Sequence, residues 1–317
     1  MKRICVLASG GDAPGMNACV EGLYTYAKKR GIEVWAAIGG YDGIVSNNVK
    51  MLGDEVLDIS SLTGCILKCG RSTHFMTDTG LKQAIGNIKS NKFDAIVILG
   101  GNGSLKGAWD RLHLNGVNVI GIPSTIDNDV NFTDHSLGFD SAVEYSTTLV
   151  DNLKGTMQTN NRHQIVEVMG RGSPAVAIKV GIATGADIID TVHSRHTPQQ
   201  IAELFTKSAK PSLLVIMQEV KAPGNDPQAQ SQGSSQFLQQ VSTAMGTQHD
   251  RVRLTVLGHL QRGAKPSAHD RYLGFAYADY AINAIAHDNY NIAVGILKNT
   301  NTIACVHIEQ ANTPIES

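Results

Sequence analysis

Two carboxylates stand out as groups able to do chemistry: Asp127 and Asp129, in Pro123-Ser124-Thr125-Ile126-Asp127-Asn128-Asp129. They follow the apolar run Val117-Asn118-Val119-Ile120-Gly121-Ile122. That run reads as a buried strand delivering acids to the carboxyl edge of a sheet, the edge where open α/β sheets hold their ligands. If the segment stays extended, the two side chains point the same way, so that one acid can hold a metal while the other takes a proton. A polar turn after a strand has the same composition, and the surrounding elements must decide between them.

Two glycine-rich segments share this setting. Ile4 to Ala8 is a β-rich run ending in Ser9-Gly10-Gly11-Asp12-Ala13-Pro14-Gly15-Met16-Asn17, after which Met16, Val20, Leu23, Tyr24 and Ala27 recur at helical spacing. Asp94 to Leu99 runs into Gly100-Gly101-Asn102-Gly103-Ser104 and then a helical stretch through Leu105, Ala108 and Leu112. Glycine costs backbone entropy and is kept where something must approach the main chain closely. Tight glycines between a strand and a helix let N–H groups face an anion with the helix dipole behind them, so both turns are expected to bind phosphate. Ile32 to Ile38 predicts a further strand, followed by Gly39-Gly40-Tyr41-Asp42-Gly43.

The rhythm continues and predicts an α/β fold. Phe139 to Met157 reads as a long helix, and Ile165 to Met169 as a strand ending in Gly170-Arg171-Gly172. Strands are expected at Ala186–Ile189 and Leu213–Met217, the latter ending on Gln218-Glu219, with helices at Pro174–Thr184 and Pro198–Ala209. Ala222 to Ser235 reads as a polar surface loop. Arg251 to Leu257 alternates and runs into Gly258-His259-Leu260-Gln261-Arg262-Gly263. A helix over Tyr272–Ala286 and strands near Ile292–Ile296 and Ile303–Val306 close the chain.

The totals suit an enzyme acting on small molecules. The 317 residues, 42% hydrophobic with 32 glycines, can bury a large core divided into two lobes. A formal net charge of -1 leaves no field for nucleic acid or a membrane surface. Cys5, Cys19, Cys65, Cys69 and Cys305 are an odd, scattered set, as expected of reduced thiols in the cytosol. Cys65 and Cys69 lie four apart, but no second pair completes a zinc site, so a packing role is expected. His193 and His196 are likewise too few for a metal and are expected at the surface. Met1 to Leu7 is too short an apolar run for a signal peptide, and no window approaches a membrane span, so a soluble, cytoplasmic protein is expected.

Arg71, Ser104, Thr125, Asp127, Asp129, Arg162, Arg171, Glu219, Arg253, His259 and Arg262 nearly all fall at strand ends or glycine turns. Glycine turns for one polyanion, arginines for another and carboxylates between them form the constellation of phosphoryl transfer, where positioning and charge neutralisation supply most of the catalysis.

From Met1 to about Leu297 the sequence resembles the 6-phosphofructokinases of bacterial type. The resemblance is carried by Ser9–Asn17, Gly100–Ser104, Pro123–Asp129, Val168-Met169-Gly170-Arg171 and Leu257–Gly263, in the family's order. It implies two Rossmann-like three-layer α/β lobes with mainly parallel sheets and an active site at the strand carboxyl ends between them. A larger, nucleotide-binding lobe would comprise 1–138 with 251–301, and a smaller, sugar-phosphate lobe 139–250 with 302–317.

By the same resemblance, ATP phosphorylates the 1-hydroxyl of fructose 6-phosphate, giving fructose 1,6-bisphosphate and ADP in glycolysis. Asp127 would take the hydroxyl proton, Thr125 and Arg171 would steady the phosphoryl group, and Asp129 with Asn102 would support Mg²⁺. Gly10, Tyr41, Arg71, Ser72, Gly101, Asn102, Gly103 and Ser104 would cradle ATP. Met169, Gly170 and Glu219 would hold the sugar, with His259 and Arg262 on its 6-phosphate. Arg162 and Arg253 would reach that phosphate from a neighbouring subunit of a homotetramer.

The departures carry their own expectations. Asn102 stands where the family has Asp, which removes a charge from the magnesium site and predicts a raised Mg²⁺ requirement. A catalytically weakened, regulatory sugar-phosphate-binding paralogue is the alternative that this motivates. Lys68 and Ala264 replace glycines, and Gly172-Ser173-Pro174 replaces the usual continuation. Glu21 and Thr25 occupy positions where allosteric members carry arginines, so little response to ADP or phosphoenolpyruvate is expected. Pyrophosphate-dependent relatives have a bulky acid at Gly103 and a lysine at Ser124, which favours ATP here.

Overall fold

The computed structural model describes residues 1–219 and 227–312. In chain order the elements begin with β1 (Arg3–Ala8), α1 (Met16–Lys29), β2 (Glu33–Ala37), α2 (Tyr41–Val45), β3 (Val49–Met51), α3 (Asp78–Ser90), β4 (Ala95–Gly100), α4 (Asn102–Gly107) and β5 (Val119–Pro123). Then come α5 (Phe139–Thr159), β6 (His163–Val168), α6 (Ala175–Thr184), β7 (Ile188–Asp190), α7 (Pro198–Lys207), β8 (Leu214–Gln218) and α8 (Pro227–Met245). The last are β9 (Val252–Val256), α9 (Ala268–Ala286), β10 (Ile292–Ile296) and β11 (Ile303–His307).

Two compact units result, Met1–Ser141 with Arg262–Ser317, and Ala142–Gln261. The boundaries differ from those read in the sequence because sheet pairing overrides chain position. β9 lies parallel to β6 and takes 251–261 into the second unit. β11 lies antiparallel to β10 and brings the chain after 301 into the first.

The first unit holds a seven-stranded sheet in the order β11-β10-β5-β4-β1-β2-β3, parallel except for the edge strands β3 and β11. β1, β4 and β5 are buried almost throughout, as strands covered on both faces must be. Cys5 and Leu7 join a core with Tyr41, Ile44, Phe75, Leu81 and Leu105, while the equally buried Ile4 and Val6 face the opposite side. The chain leaves β1 toward β2 on one side and returns to β4 on the other. The carboxyl ends of β1 and β4 therefore flank a topological switch point, where open sheets leave a crevice.

The second unit holds a parallel four-stranded sheet, β7-β8-β6-β9, with β6 central. Residues 227–235, expected as loop, belong to α8; Ala222–Asp226 lie outside the described residues. Proline suits the first helical turn, and further along α8 Phe237, Leu238, Val241 and Met245 pack on Ile165, Phe205 and Met217. Among the described residues no helix is long and apolar enough to cross a membrane.

Candidate active site

The two glycine turns lie side by side at the end of the first sheet. Ser9 N–H donates to Leu99 O over 2.9 Å, extending the β1–β4 pairing to the turn itself. Gly10, at φ +92°, and Gly15, at φ +88°, adopt conformations that a side chain would strain. Gly10 N–H donates to Gly70 O over 3.1 Å. At Gly100 a Cβ would lie 2.6 Å from Ser104 Oγ and 2.7 Å from Ser9 O, so the bare backbone lets the two turns close on each other. α4 continues into a π-helical turn, Ala108–Leu112, a local widening common beside functional sites.

The Thr125–Asp129 segment is not the extended run on which the parallel carboxylates were premised. Asn128 sits at φ +48° and turns the chain. Its Nδ2 donates to Asp134 O over 2.9 Å, and its Oδ1 accepts from Ser136 N–H at 2.9 Å. Ser136 Oγ donates to Thr125 O at 2.7 Å, and Asp127 N–H donates to Thr125 Oγ1 at 3.3 Å. Asparagine tolerates left-handed backbone because its side chain bonds locally, so the segment is an anchored loop. Thr125 packs against Gly101, and Asn102 Nδ2 donates to Asp129 O over 3.1 Å, tying this loop to the second glycine turn. Burial raises the Asp129 carboxyl above its ordinary range, opposed by hydrogen bonds from its own backbone and from Asn102.

The other expected residues of this unit surround the same turns. Tyr41 is buried, stacks on Phe75 at 4.2 Å, and donates its hydroxyl to Ser104 O at 2.7 Å, holding the glycine turn by its backbone. Ser72 Oγ donates to Asp42 and accepts from Phe75 N–H, and Arg71 beside it is exposed. The Arg262 guanidinium lies against Gly11, where any side chain would collide with it. Asp270 was not singled out in the sequence, yet it is fully buried and accepts from Gly138 N–H and Ser141 N–H, both at 2.9 Å. It thereby fixes the end of the loop that carries Asp127 and Asp129. Its one sequence signal is its place three residues after a Ser, within an N-capped helix start.

In the second unit Met169, Gly170 and Arg171 follow β6, Glu219 follows β8 and His259 follows β9, all at the carboxyl edge of one parallel sheet. Gly170 takes φ +136°, and Arg171 and His259 are exposed. Two glutamines, neither assigned a role by the sequence, hold this edge. Gln218, fully buried, donates Nε2 to Gly170 O and to Ser173 O, the latter at 3.1 Å, and accepts from Val192 N–H at 2.9 Å. Gln261, also fully buried, accepts from Met169 N–H at 3.3 Å and donates to Gly258 O at 3.1 Å. His196 is no free surface histidine: its Nδ1 lies 3.0 Å from the buried Asp190, which also holds Arg195 at 2.7 Å. His193 is exposed as expected.

Arg162 and Arg253 are not at this edge. Arg162 precedes β6, and Arg253 pairs with Gln164 near the start of that strand. A six-residue strand, at about 3.3 Å per residue, keeps them roughly 20 Å from the Met169–Arg171 turn of the same chain.

A family model described as phosphofructokinase matches residues 3–285. The chain belongs to the phosphofructokinase family. An ATP-dependent 6-phosphofructokinase of Macrococcus caseolyticus is 35% identical over 305 residues, 95% of this chain and 91% of that one. An ATP-dependent 6-phosphofructokinase 2 of Bacteroides thetaiotaomicron is 37% identical over 300 residues, covering 93% and 89%. The phosphofructokinase structure of Saccharomyces cerevisiae superposes with a TM-score of 0.82 at 29% identity; it covers 98% of this chain, which spans 45% of the yeast chain. A pyrophosphate-dependent phosphofructokinase of Marinobacter aquaeolei gives a TM-score of 0.85 at 19% identity over 99% of this chain and 84% of its own, a likeness of fold alone.

The structure gives physical content to the departures from the phosphofructokinase pattern. Lys68 holds φ +57°, a left-handed conformation that glycine adopts freely and that costs a side chain about 1 kcal/mol. Ser124 is buried, with Oγ donating to Ile122 O at 3.2 Å, so a lysine there would start from a buried position. A Cβ at Gly103 would meet nothing within 4 Å, so that side of the turn is open. Glu21 turns its carboxylate onto its own unit, accepting from Asp58 N–H at 3.1 Å and Ser60 N–H at 2.8 Å.

Proposed function

We propose that this phosphofructokinase transfers the terminal phosphoryl group of ATP to the 1-hydroxyl of fructose 6-phosphate, giving ADP and fructose 1,6-bisphosphate in glycolysis. The observation that carries the reading is the joining of the Gly100–Ser104 turn to the Thr125–Asp129 loop, by Thr125 against Gly101 and by Asn102 to Asp129 O. A phosphate-binding turn and a pair of acids are thereby held together as phosphoryl transfer requires. Names shared with relatives at about 35% identity over nearly the whole chain support the same activity.

In this reading the Gly10 and Gly101–Ser104 turns bind the ATP phosphates, with Tyr41, Arg71 and Ser72 beside them. Asp127 accepts the proton of the attacking hydroxyl, while Thr125 and Arg171 hold the transferring group. Met169, Gly170 and Glu219 hold the sugar, and His259 and Arg262 its 6-phosphate. Arg162 and Arg253, at the far edge of their own sheet, would serve a neighbouring subunit of a homotetramer. Solubility and a cytoplasmic setting belong to the same proposal.

The donor set near Asp129 fits magnesium. One carboxylate and the Asn102 amide oxygen suit a small cation that keeps waters and takes substrate phosphate oxygens as further ligands. Among the described residues no cluster of three acidic, histidine or cysteine ligands exists, so a full protein cage is not on offer. When bound, the ion neutralises charge on the phosphates; the protein residues orient them.

The Asn102 amide also favours a second reading, a weakened paralogue that binds sugar phosphate. Open space at Gly103 and the buried Ser124 disfavour pyrophosphate as donor. The test is a coupled assay with fructose 6-phosphate, comparing ATP with pyrophosphate across a Mg²⁺ series for the native chain, Asp127→Ala and Asn102→Asp. ATP-dependent turnover lost in Asp127→Ala is expected. Binding of fructose 6-phosphate without turnover in the native chain, restored in Asn102→Asp, would establish the second reading instead.

A further inference from the structure

α9 begins where two of the loops that the chemistry needs come together. Ser267 caps the helix, its Oγ accepting from Asp270 N–H at 3.1 Å and donating to Asp140 Oδ2 at 2.6 Å. Asp270, three residues on, is fully buried and offers both carboxylate oxygens as acceptors. Oδ1 takes Gly138 N–H at 2.9 Å, and Oδ2 takes Ser141 N–H at 2.9 Å together with the Ser141 hydroxyl. Two turns further along α9, Tyr277 donates its own hydroxyl to His135 O at 2.8 Å. One helix thus holds the chain from His135 to Ser141, the stretch that leads from Asp127 and Asp129 into α5.

The same residue backs the first glycine turn. A Cβ at Gly15 would lie 3.1 Å from Asp270 O and 3.2 Å from Asp270 Cβ. A Cβ at Gly138 would lie 2.7 Å from Ala13 Cβ and 3.0 Å from Pro14 Cδ, so the turn and the loop also touch each other. Both glycines hold positive φ, +88° and +99°. A Cβ at Gly274 would lie 2.9 Å from Cys19 N, so α9 runs bare against the start of α1.

We propose that Asp270 is a positioning residue for phosphoryl transfer, joining the Ser9–Asn17 turn to the loop of Asp127 so that phosphate and base keep one distance. This rests on the reading of those segments as phosphate cradle and proton acceptor. Misplacement of a reacting group by about 1 Å costs on the order of a hundredfold in rate, so the joint bears on turnover rather than on binding. A carboxylate is required by its donors, since two N–H groups and a hydroxyl converge on its oxygens. Asparagine offers one acceptor oxygen, and its NH₂ would face the N–H of Gly138 or Ser141 and leave a buried donor unpaired.

The test compares the purified full chain with Asp270→Asn and with Ser141→Ala, which removes the hydroxyl donor and leaves both backbone N–H groups in place. Amide hydrogen exchange of the free proteins is read over residues 9–17 and 125–141. Fructose 6-phosphate binding is titrated to count competent sites, and turnover is expressed per such site. In Asp270→Asn, exchange is expected to quicken in both segments and kcat per site to fall about a hundredfold, with both KM values within about threefold of native. Ser141→Ala is expected to quicken exchange over 125–141 and to lower kcat per site about tenfold. Native exchange in either segment of Asp270→Asn, or turnover per site unchanged while the number of sites falls, would overturn the proposal and leave Asp270 a merely structural residue. Should Asp270→Asn not fold, Ser141→Ala decides alone, and native exchange or native kcat per site there overturns the proposal. A native chain without fructose 6-phosphate binding or ATP-dependent turnover would overturn the functional reading alone, since exchange in the two segments still tests the joint.

Discussion

Asn102 donates its side-chain N–H to the main-chain carbonyl of Asp129 over 3.1 Å. Asn102 thus helps tie the Gly100–Ser104 turn to the Thr125–Asp129 loop. An aspartate would bring a charged metal ligand but set a carboxylate against that carbonyl.

Asn102→Asp is therefore expected to pull two properties apart. Half-saturating Mg²⁺ falls about tenfold and turnover rises, while the free protein loses about 1 kcal/mol of stability with the hydrogen bond. Magnesium titrations of activity, paired with thermal unfolding without substrate, measure both; identical Mg²⁺ curves would remove the residue from the metal site.

Gln218 spans three backbone groups inside the second unit, and Gln218→Leu leaves two carbonyls and one N–H without it. A loss of about 3 kcal/mol is expected, since each buried group left unpaired costs about 1–3 kcal/mol. Because Gly170 is among the released groups, the KM for fructose 6-phosphate rises about tenfold while that for ATP stays put. Steady-state kinetics with each substrate varied would show a merely structural role if both constants moved together.

His163 makes the second unit acid-sensitive. It is fully buried, stacked on Phe205 at 4.4 Å, accepts from Leu213 N–H at Nδ1 and has no partner at Nε2. Burial foremost, helped by the nearby Arg251, pushes its pKa down to about 4 from 6.5. The folded unit keeps the ring neutral while the unfolded chain protonates it below 6.5, so stability is complete above that pH and is lost as pH falls toward 4. The loss approaches about 3 kcal/mol at the lower end. His163→Asn keeps an acceptor for Leu213 and removes the titration. Its melting temperature, lower at neutral pH, is expected to fall less than the native one between pH 6.5 and 4.

Glu21 already supplies an anion to the N–H groups of Asp58 and Ser60. With a carboxylate there in place of an arginine, an anionic effector is repelled. Adding ADP or phosphoenolpyruvate is expected to change fructose 6-phosphate affinity by less than tenfold, read from saturation curves at fixed ATP. A larger shift would place a regulatory site on this helix after all.

What the sequence determined by itself is the order of strands, glycine turns and helices, and the motifs that assign the family. These are local: a buried parallel strand needs a continuous apolar run, and Gly10 or Gly170 is the residue that takes a positive φ without strain. The placement of Thr125, Asp127 and Asp129 after β5, of Arg171 after β6 and of the Gly100–Ser104 turn at the end of β4 was legible for that reason. The tertiary structure decided what depends on partners far along the chain. Gln218 binds a carbonyl 48 residues away and Gln261 an N–H 92 residues away, and no spacing rule announces either bond. Asn128 could be seen to permit a turn, but only its bonds to Asp134 and Ser136 fixed one in place of an extended run. Pairing of β9 with β6 and of β11 with β10 set the unit boundaries, and the length of β6 placed Arg162 and Arg253 at the edge away from Arg171. Hydrogen bonds across a sheet choose their partners by proximity in space, which the chain acquires only when it folds.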